Sequence, residues 1–433
     1  MDDESGQERT VPDVKAAVAR VWRQESAKIV ATLAHFVGDV GVAEDLAQEA
    51  VADALAQWPS HGLPDNAAAW LTSVAKRKAI DLWRRRERLD ARYADIAWSR
   101  ALVTDEDPDA PPWDPDRIDD DVLRLVFVAC HPVLAREAQV ALTLRVVGGL
   151  SSAGIARAFI LPVATVQQRI VRAKKALGAA HVPFEVPDAS EFPARLSSVL
   201  EVVYLVFTEG YAASTGDDWI RRDLAAEALR LGRLLTQLLP REPEVHGLVA
   251  LMELQASRFD ARTADDGTAV LLPDQDRTRW DHEQISRGEA ALKRADELGR
   301  SRHRGRGRYT LQAAIAQCHA SARTAGDTDW ERIQLLYEIL GRVAPSPVVD
   351  LNRAVAVSMS TGPANALLIV DHLVADGRLA GYAPLYAVRG DLLERLGRTQ
   401  EAWADFEKAA GLTGNDRERD LLLARIHNEG TPS

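Results

Sequence analysis

Two cysteines, Cys130 and Cys318, are all that the 433 residues provide, and they lie far apart. That scarcity excludes a disulfide framework and fits a reducing compartment. Long hydrophobic runs are also missing: no apolar stretch approaches the ~20 residues that span a bilayer. The opening MDDESGQERTVPDV is polar and acidic, without the apolar core of a secretory signal. Runs of β-branched residues alternating with period two are scarce, which argues against sheets. No Walker-type phosphate loop, nucleophile elbow or zinc-protease pattern occurs, so the chain is expected to have no catalytic residues. Cys130-His131 and Cys318-His319 are adjacent pairs too distant in sequence to suggest a metal site. What remains is an apolar content of 46% and a charged content of 27%, rich in Ala, Leu, Arg and Glu. Those are strong helix formers. The expectation is an all-α, cytoplasmic protein of two to four domains, with no cofactor, no metal and no membrane attachment.

The formal net charge is −11, yet LSSAGIARAFILPVATVQQRIVRAKKAL, from Leu150 to Leu177, holds five basic side chains and no Asp or Glu. Ile155, Ala156 and Phe159 give a short amphipathic helix opened by Ser151 or Ser152. Pro162 suits the first position of a second helix, where its missing N–H costs nothing. In that helix Val166, Ile170, Ala173 and Leu177 fall on one buried stripe. Thr165, Gln168, Arg172 and Lys175 lie away from it, flanked by Gln167 and Arg169. Two short helices, a tight turn and a cationic second helix match a helix-turn-helix, whose second helix can enter the major groove. Arg and Gln read base edges there, and Arg and Lys neutralise phosphates. The competing reading is a helical hairpin with a solvated basic face.

Upstream, AWLTSVAKRKAIDLWRRRERL, Ala69 to Leu89, sets Leu71, Ala75 and Leu82 against Arg77, Arg84 and Arg88. Asp81 stands within helical reach of Arg77 and Arg84 and can fix their rotamers. Trp83 among these charges either stacks on an unpaired base or packs on its own domain. The preceding GVAEDLAQEAVADALAQW is different. Ala43, Ala47, Ala50, Val51, Ala54 and Trp58 form its apolar stripe, and Asp45, Gln48, Glu49 and Asp53 occupy the other face. An acidic helix cannot lie along the same DNA as a cationic one, so its polar face is expected to meet a protein.

From about Val18 to Leu177 the chain resembles a bacterial RNA polymerase sigma factor of the extracytoplasmic-function class. VAEDLAQEAVADAL resembles the region 2 helix that docks on the polymerase clamp. The following cationic helix resembles the one that captures the minus-ten element, and the Leu150–Leu177 segment resembles region 4, which reads the minus-thirty-five element. The resemblance implies core RNA polymerase and promoter DNA as partners. It assigns Asp45, Gln48 and Glu49 to the polymerase, and Lys76, Arg77, Trp83, Arg84 and Arg88 to the minus-ten side. Thr165, Gln167, Gln168, Arg169, Arg172 and Lys175 go to the minus-thirty-five side. Two residues depart from the family pattern: Arg77 stands where an Asn is usual, which favours phosphate contact over amide readout. Gly154 stands where a Glu is usual. Between the regions, TDEDPDAPPWDPDRIDDD reads as an extended acidic linker, either an imitation of nucleic acid or a tether.

More than half of the chain follows region 4. FPARLSSVLEVVYLVFTEGYAAS, LLPDQDRTRWD and LQAAIAQCHA resemble the extension of a sigma subgroup with tetratricopeptide-like repeats. Independently, Tyr386, Gly390, Ala402, Phe406 and Ala409 sit at tetratricopeptide spacings, though Arg389 replaces an expected Leu. Ala354, Ala366 and Val370 repeat the scheme, and Tyr337 with a closing Pro345 belongs to an earlier unit. Such an array binds a protein or peptide. Asp274, Asp276, Arg277 and Arg279 read as a salt-bridged corner or a ligand site, with Asp281 and Gln284 as a capping box. GRSRHRGRGRY reads as a surface loop or a DNA or polymerase contact. The expected domains are a disordered tail at 1–15, region 2 at 16–90, an acidic linker at 91–118 and region 4 at 119–181. A helical extension at 182–300 and repeats at 301–433 complete the chain. The function implied is promoter-directed initiation with a regulatory C-terminal domain. The alternative is a stand-alone helix-turn-helix regulator whose repeats sense a signal or dimerise.

Overall fold

The structure is a computed structural model and describes residues 14–89, 115–211, 221–264 and 270–427. All regular elements among these residues are helices. They divide into two compact units, residues 1–157 with 161–202, and residues 158–160 with 203–433.

In the first unit, α1 (Val14–Val37), α2 (Val40–His61) and α3 (Ala67–Leu89) pack mutually. Their contact is made of small residues: Ala43, Ala47, Ala50 and Ala54 of α2 are fully buried, and Trp58 closes the stripe. Asp39 starts α2, accepting a hydrogen bond from the Val42 N–H at 2.9 Å, which satisfies an otherwise orphaned donor. The next helix, α4 (Pro115–Ala129), lies on α1. It corrects the expectation of an extended linker through residue 121, because its first two turns run from Pro115 to Asp121. Proline suits a first helical turn, where its missing N–H costs nothing. The remainder of that linker, 90–114, and the tail before Val14 lie outside the described residues. Then come α5 (Arg136–Val146), α6 (Ser152–Ala158) and α7 (Val163–Ala179), with α5 packed on α7. The helix α8 (Phe192–Tyr211) gives its first half to this unit. Phe192 meets the buried Phe127 ring at 5.5 Å, Arg195 donates to the Phe127 carbonyl at 2.9 Å, and Arg136 pairs with Glu201.

The second unit stacks helices in chain order: α9 (Arg222–Leu238), α10 (Pro243–Ala256), α11 (His282–Ser301), α12 (Arg308–Ser321), α13 (Trp330–Val343), α14 (Pro347–Ser360), α15 (Pro363–Asp376), α16 (Ala383–Arg395), α17 (Thr399–Leu412) and α18 (Asp416–His427). From α12 on, each helix packs on the next, as expected of a repeat array. The tetratricopeptide spacing corresponds to buried contact: Ala354, Ala366, Val370, Tyr386, Ala402, Phe406 and Ala409 share one core. A Cβ on Gly390 would stand 2.6 Å from the Phe406 ring, so only glycine lets α16 and α17 approach this closely. Arg389 departs from the repeat pattern because it bonds Asp371 at 2.7 Å and Asp405 at 2.8 Å, tying three helices together.

Among the described residues, the corner at 271–281 forms no ion pair. Arg277 donates to the carbonyls of His319 and Ala322 and lies over the Trp280 ring, while Asp276 accepts from Thr278. A guanidinium aimed at helix-end carbonyls satisfies groups that the helix itself leaves unpaired. Half of the expected capping box forms: Asp281 accepts from the Gln284 N–H at 2.8 Å, but the Asp281 N–H goes to Ser257. In the segment 299–309, Arg306 holds Asp296 and Arg302 holds Glu242. The cysteines are free and buried, and burial pushes the Cys130 thiol up to about 11.

Candidate nucleic-acid interface

The helix-turn-helix begins at a left-handed turn that calls for glycine: Gly149 has φ +68°, and a Cβ there would meet Ser26 Oγ at 2.4 Å. Ser151 then opens α6, its hydroxyl accepting from the Gly154 N–H at 3.0 Å. A Gly at this third position removes the reciprocal half of a capping box without removing the helix. Ile160, at φ +49°, turns the chain, and Pro162 stands just before α7, one residue ahead of the first helical position expected for it, without a side-chain capping bond.

On α7 the expected stripe of Val166, Ile170, Ala173 and Leu177 is buried. Gln167, Gln168, Arg172 and Lys175 are exposed, and Thr165 and Arg169 are half-buried at the edges. Val171 is 50% exposed beside them, one turn from Gln168 and Lys175. Sequence reasoning passed over it, although the i+3 spacing from Gln168 places it on the same face. Amides, cations and one methyl-bearing side chain on an acid-free helix are the donor and apolar set that major-groove base edges accept.

The acidic face of α2 is more engaged than its sequence suggests. Glu44, next to the alanine stripe, is buried and paired with Arg145 of α5 at 2.8 Å and with Lys174 of α7. Asp45 remains 70% exposed and shares Lys174 at 2.6 Å. Glu49 and Asp53 both reach Lys78 of α3, at 3.3 and 3.0 Å, and Asp53 first, then Glu49, holds that ammonium above its usual range. Gln48 is half-buried with its amide nitrogen enclosed and unpartnered. Of the three residues assigned to the polymerase, Asp45 and Glu49 are accessible and Gln48 is partly withdrawn. Glu44, Arg145 and Lys174 were not foreseen as a network. The one signal was that Glu44 stands a single residue from Ala43, close enough to the buried stripe to be swept inward.

On α3, Arg77 and Arg84 are exposed and Lys76 is half-buried. Arg77 Nε donates to the Ser73 carbonyl at 3.3 Å rather than to Asp81. Trp83 is 50% exposed and its ring lies 6.4 Å from Phe36 of α1, so one side packs and the other meets solvent. Arg88 belongs to the helix, and its side chain lies outside the described residues. Among the described residues no helix is long and apolar enough to cross a membrane.

Comparison with known proteins adds three matches along the chain. The family described as Sigma-70 region 2 matches residues 21–89, which carry most of α1 with α2 and α3. Sigma-70, region 4 matches residues 124–177, which end on the outward face of α7. A family of unknown function, DUF6596, matches residues 195–296. An uncharacterized protein R00370 of Rhizobium meliloti is 45% identical over 91% of both chains. A probable ECF RNA polymerase sigma factor SigI of Mycobacterium tuberculosis is 30% identical over 46% of this chain and 64% of its own. No solved structure matches.

Proposed function

The chain belongs to the sigma-70 factors, of the extracytoplasmic-function type with a C-terminal extension, and we propose that the extension regulates the initiation that the sigma regions direct. Promoter-specific transcription initiation is its function, with core RNA polymerase and promoter DNA as partners. In the finer reading, Asp45 and Glu49 dock on the polymerase, with Gln48 beside them at the rim. Gln167, Gln168 and Val171 read base edges of the upstream element, while Thr165, Arg169, Arg172 and Lys175 hold its phosphates. Lys76, Arg77, Arg84 and Arg88 take backbone phosphates of the downstream element, and the free side of Trp83 stacks on an unpaired base. The repeats from α13 to α18 take a protein or peptide segment as regulatory input. The factor acts in the cytoplasm without catalysing a reaction itself.

The observation that carries this reading is the outward face of α7, with Gln167, Gln168, Arg172 and Lys175 exposed over a buried stripe. Helix insertion into the major groove needs such a face. Mobility-shift titration of promoter fragments, with and without core polymerase, tests it. A sigma factor gives a sequence-specific complex that depends on polymerase. A complex of equal specificity and affinity without polymerase would mark a stand-alone regulator instead.

A further inference from the structure

Within the second unit lies a cleft of about 610 Å³ that promoter recognition does not use. Its volume is in the range that small-molecule ligands occupy. Arg258, Arg308, His319, Gln255, Tyr204 and Tyr337 are among the polar side chains around it, and none of its described lining residues is Asp or Glu. Leu251, Ile315, Leu340 and Val349 supply an apolar wall.

The cationic groups here lack the usual acidic counterweights. Arg258 donates to the Tyr211 hydroxyl at 2.7 Å and lies 5.9 Å from the Trp280 ring, contacts that supply no opposite charge among the described residues. Its Nε is buried without a hydrogen-bond partner, and so is Gln255 Oε1. Buried polar atoms left unpaired cost stability, so each calls for an explanation. Burial, then Arg258 and Arg277, lower the pKa of His319 to about 4, so it is neutral at pH 7. Burial disfavours a charge of either sign, whereas the two arginines disfavour a cation and favour an anion.

The apolar wall narrows the ligand class. A bare inorganic anion leaves Leu251, Ile315 and Val349 uncovered, whereas a polyanion needs more than two guanidinium groups. We propose that this cleft binds a small organic carboxylate, its acidic head between Arg258 and Arg308 and its apolar body against Leu251, Ile315 and Leu340. Arg suits the head because its planar fork matches a carboxylate in two parallel hydrogen bonds. The tyrosines and Gln255 supply neutral hydrogen-bond partners around the body. This site lies among the end of α8 and α10, α12, α13 and α14 and does not rest on the reading of the sigma regions.

The test is calorimetric titration of the full chain with hexanoate, octanoate, phenylacetate and indole-3-acetate, each beside its primary amide. At least one carboxylate is expected to bind about tenfold more tightly than its amide, the size of effect that charge-assisted hydrogen bonds give. Arg258→Gln is expected to remove that preference. Arg308 is exposed at the start of α12, so Arg308→Gln keeps the fold and serves as the second variant, with helicity checked by circular dichroism. No preference for any carboxylate over its amide would overturn the proposal. So would a preference that Arg308→Gln leaves intact.

Discussion

Lys174 carries two ion pairs at once, one to the buried Glu44 and one to the exposed Asp45. The two differ in worth. Exposed pairs contribute about 0–1 kcal/mol, whereas removing one partner of a buried pair costs about 3–5 kcal/mol. Because Arg145 stays with Glu44, Lys174→Met is expected to cost less than that full amount, about 1–3 kcal/mol, read as a lowered midpoint in urea. The same change frees Asp45, so affinity for core polymerase is expected to rise by up to about fivefold, the factor an exposed pair allows. A fall in affinity would count against Asp45 on the docking surface. Asp45→Arg with Glu49→Arg is expected to abolish polymerase binding while helicity persists, since reversal across a complementary interface costs several kcal/mol. Competition binding against the wild-type chain reads this directly. On α7, Gln168→Ala is expected to lose about 1–3 kcal/mol of discrimination at its base, whereas Arg172→Ala weakens all sequences alike. Wild-type promoter ranking in both variants would mean that α7 is turned differently in the groove.

At the scale of elements, much was legible because helices encode their buried face by spacing. The stripes of α2 and α7 and the tetratricopeptide positions of α16 and α17 could be read from periodicity, and all are buried except Val51 of α2, which is half-buried. What periodicity could not supply was pairing between segments distant in sequence. Glu44 lies 101 residues from Arg145, and nothing local to either announces the other. The start of α4 was missed for another reason. Proline and aspartate favour a linker in composition but also favour a first helical turn, and packing on α1 decided between them. The cleft among α10, α12, α13 and α14 draws on residues from Tyr204 to Asn352, a set that no short motif contains. Packing within the array allows a further prediction. Gly390→Ala drives a Cβ into the Phe406 ring, and overpacking of this kind costs about 1–3 kcal/mol. Hydrogen exchange is expected to quicken in α16 and α17 while polymerase binding stays unchanged.

For the whole molecule, a net charge of −11 sits beside two acid-free cationic segments, Leu150 to Leu177 and residues 298–326, so attraction to an anionic partner is local rather than general. The division of the chain also sets where it can be cut. Ending it at His181 removes Phe192, Arg195 and Glu201 from contacts with Phe127 and Arg136. That fragment is expected to melt below one ending at Tyr211, and only the longer one is a fair comparison for the extension. The account stands or falls on initiation itself. The measurement is in vitro transcription with core polymerase, the full chain and a library of promoter fragments, followed by mapping of start sites. The account predicts defined starts that appear only when the chain is added, preceded by shared upstream and downstream elements, and lost with Asp45→Arg plus Glu49→Arg. A start-site pattern identical to that of core polymerase alone would contradict it.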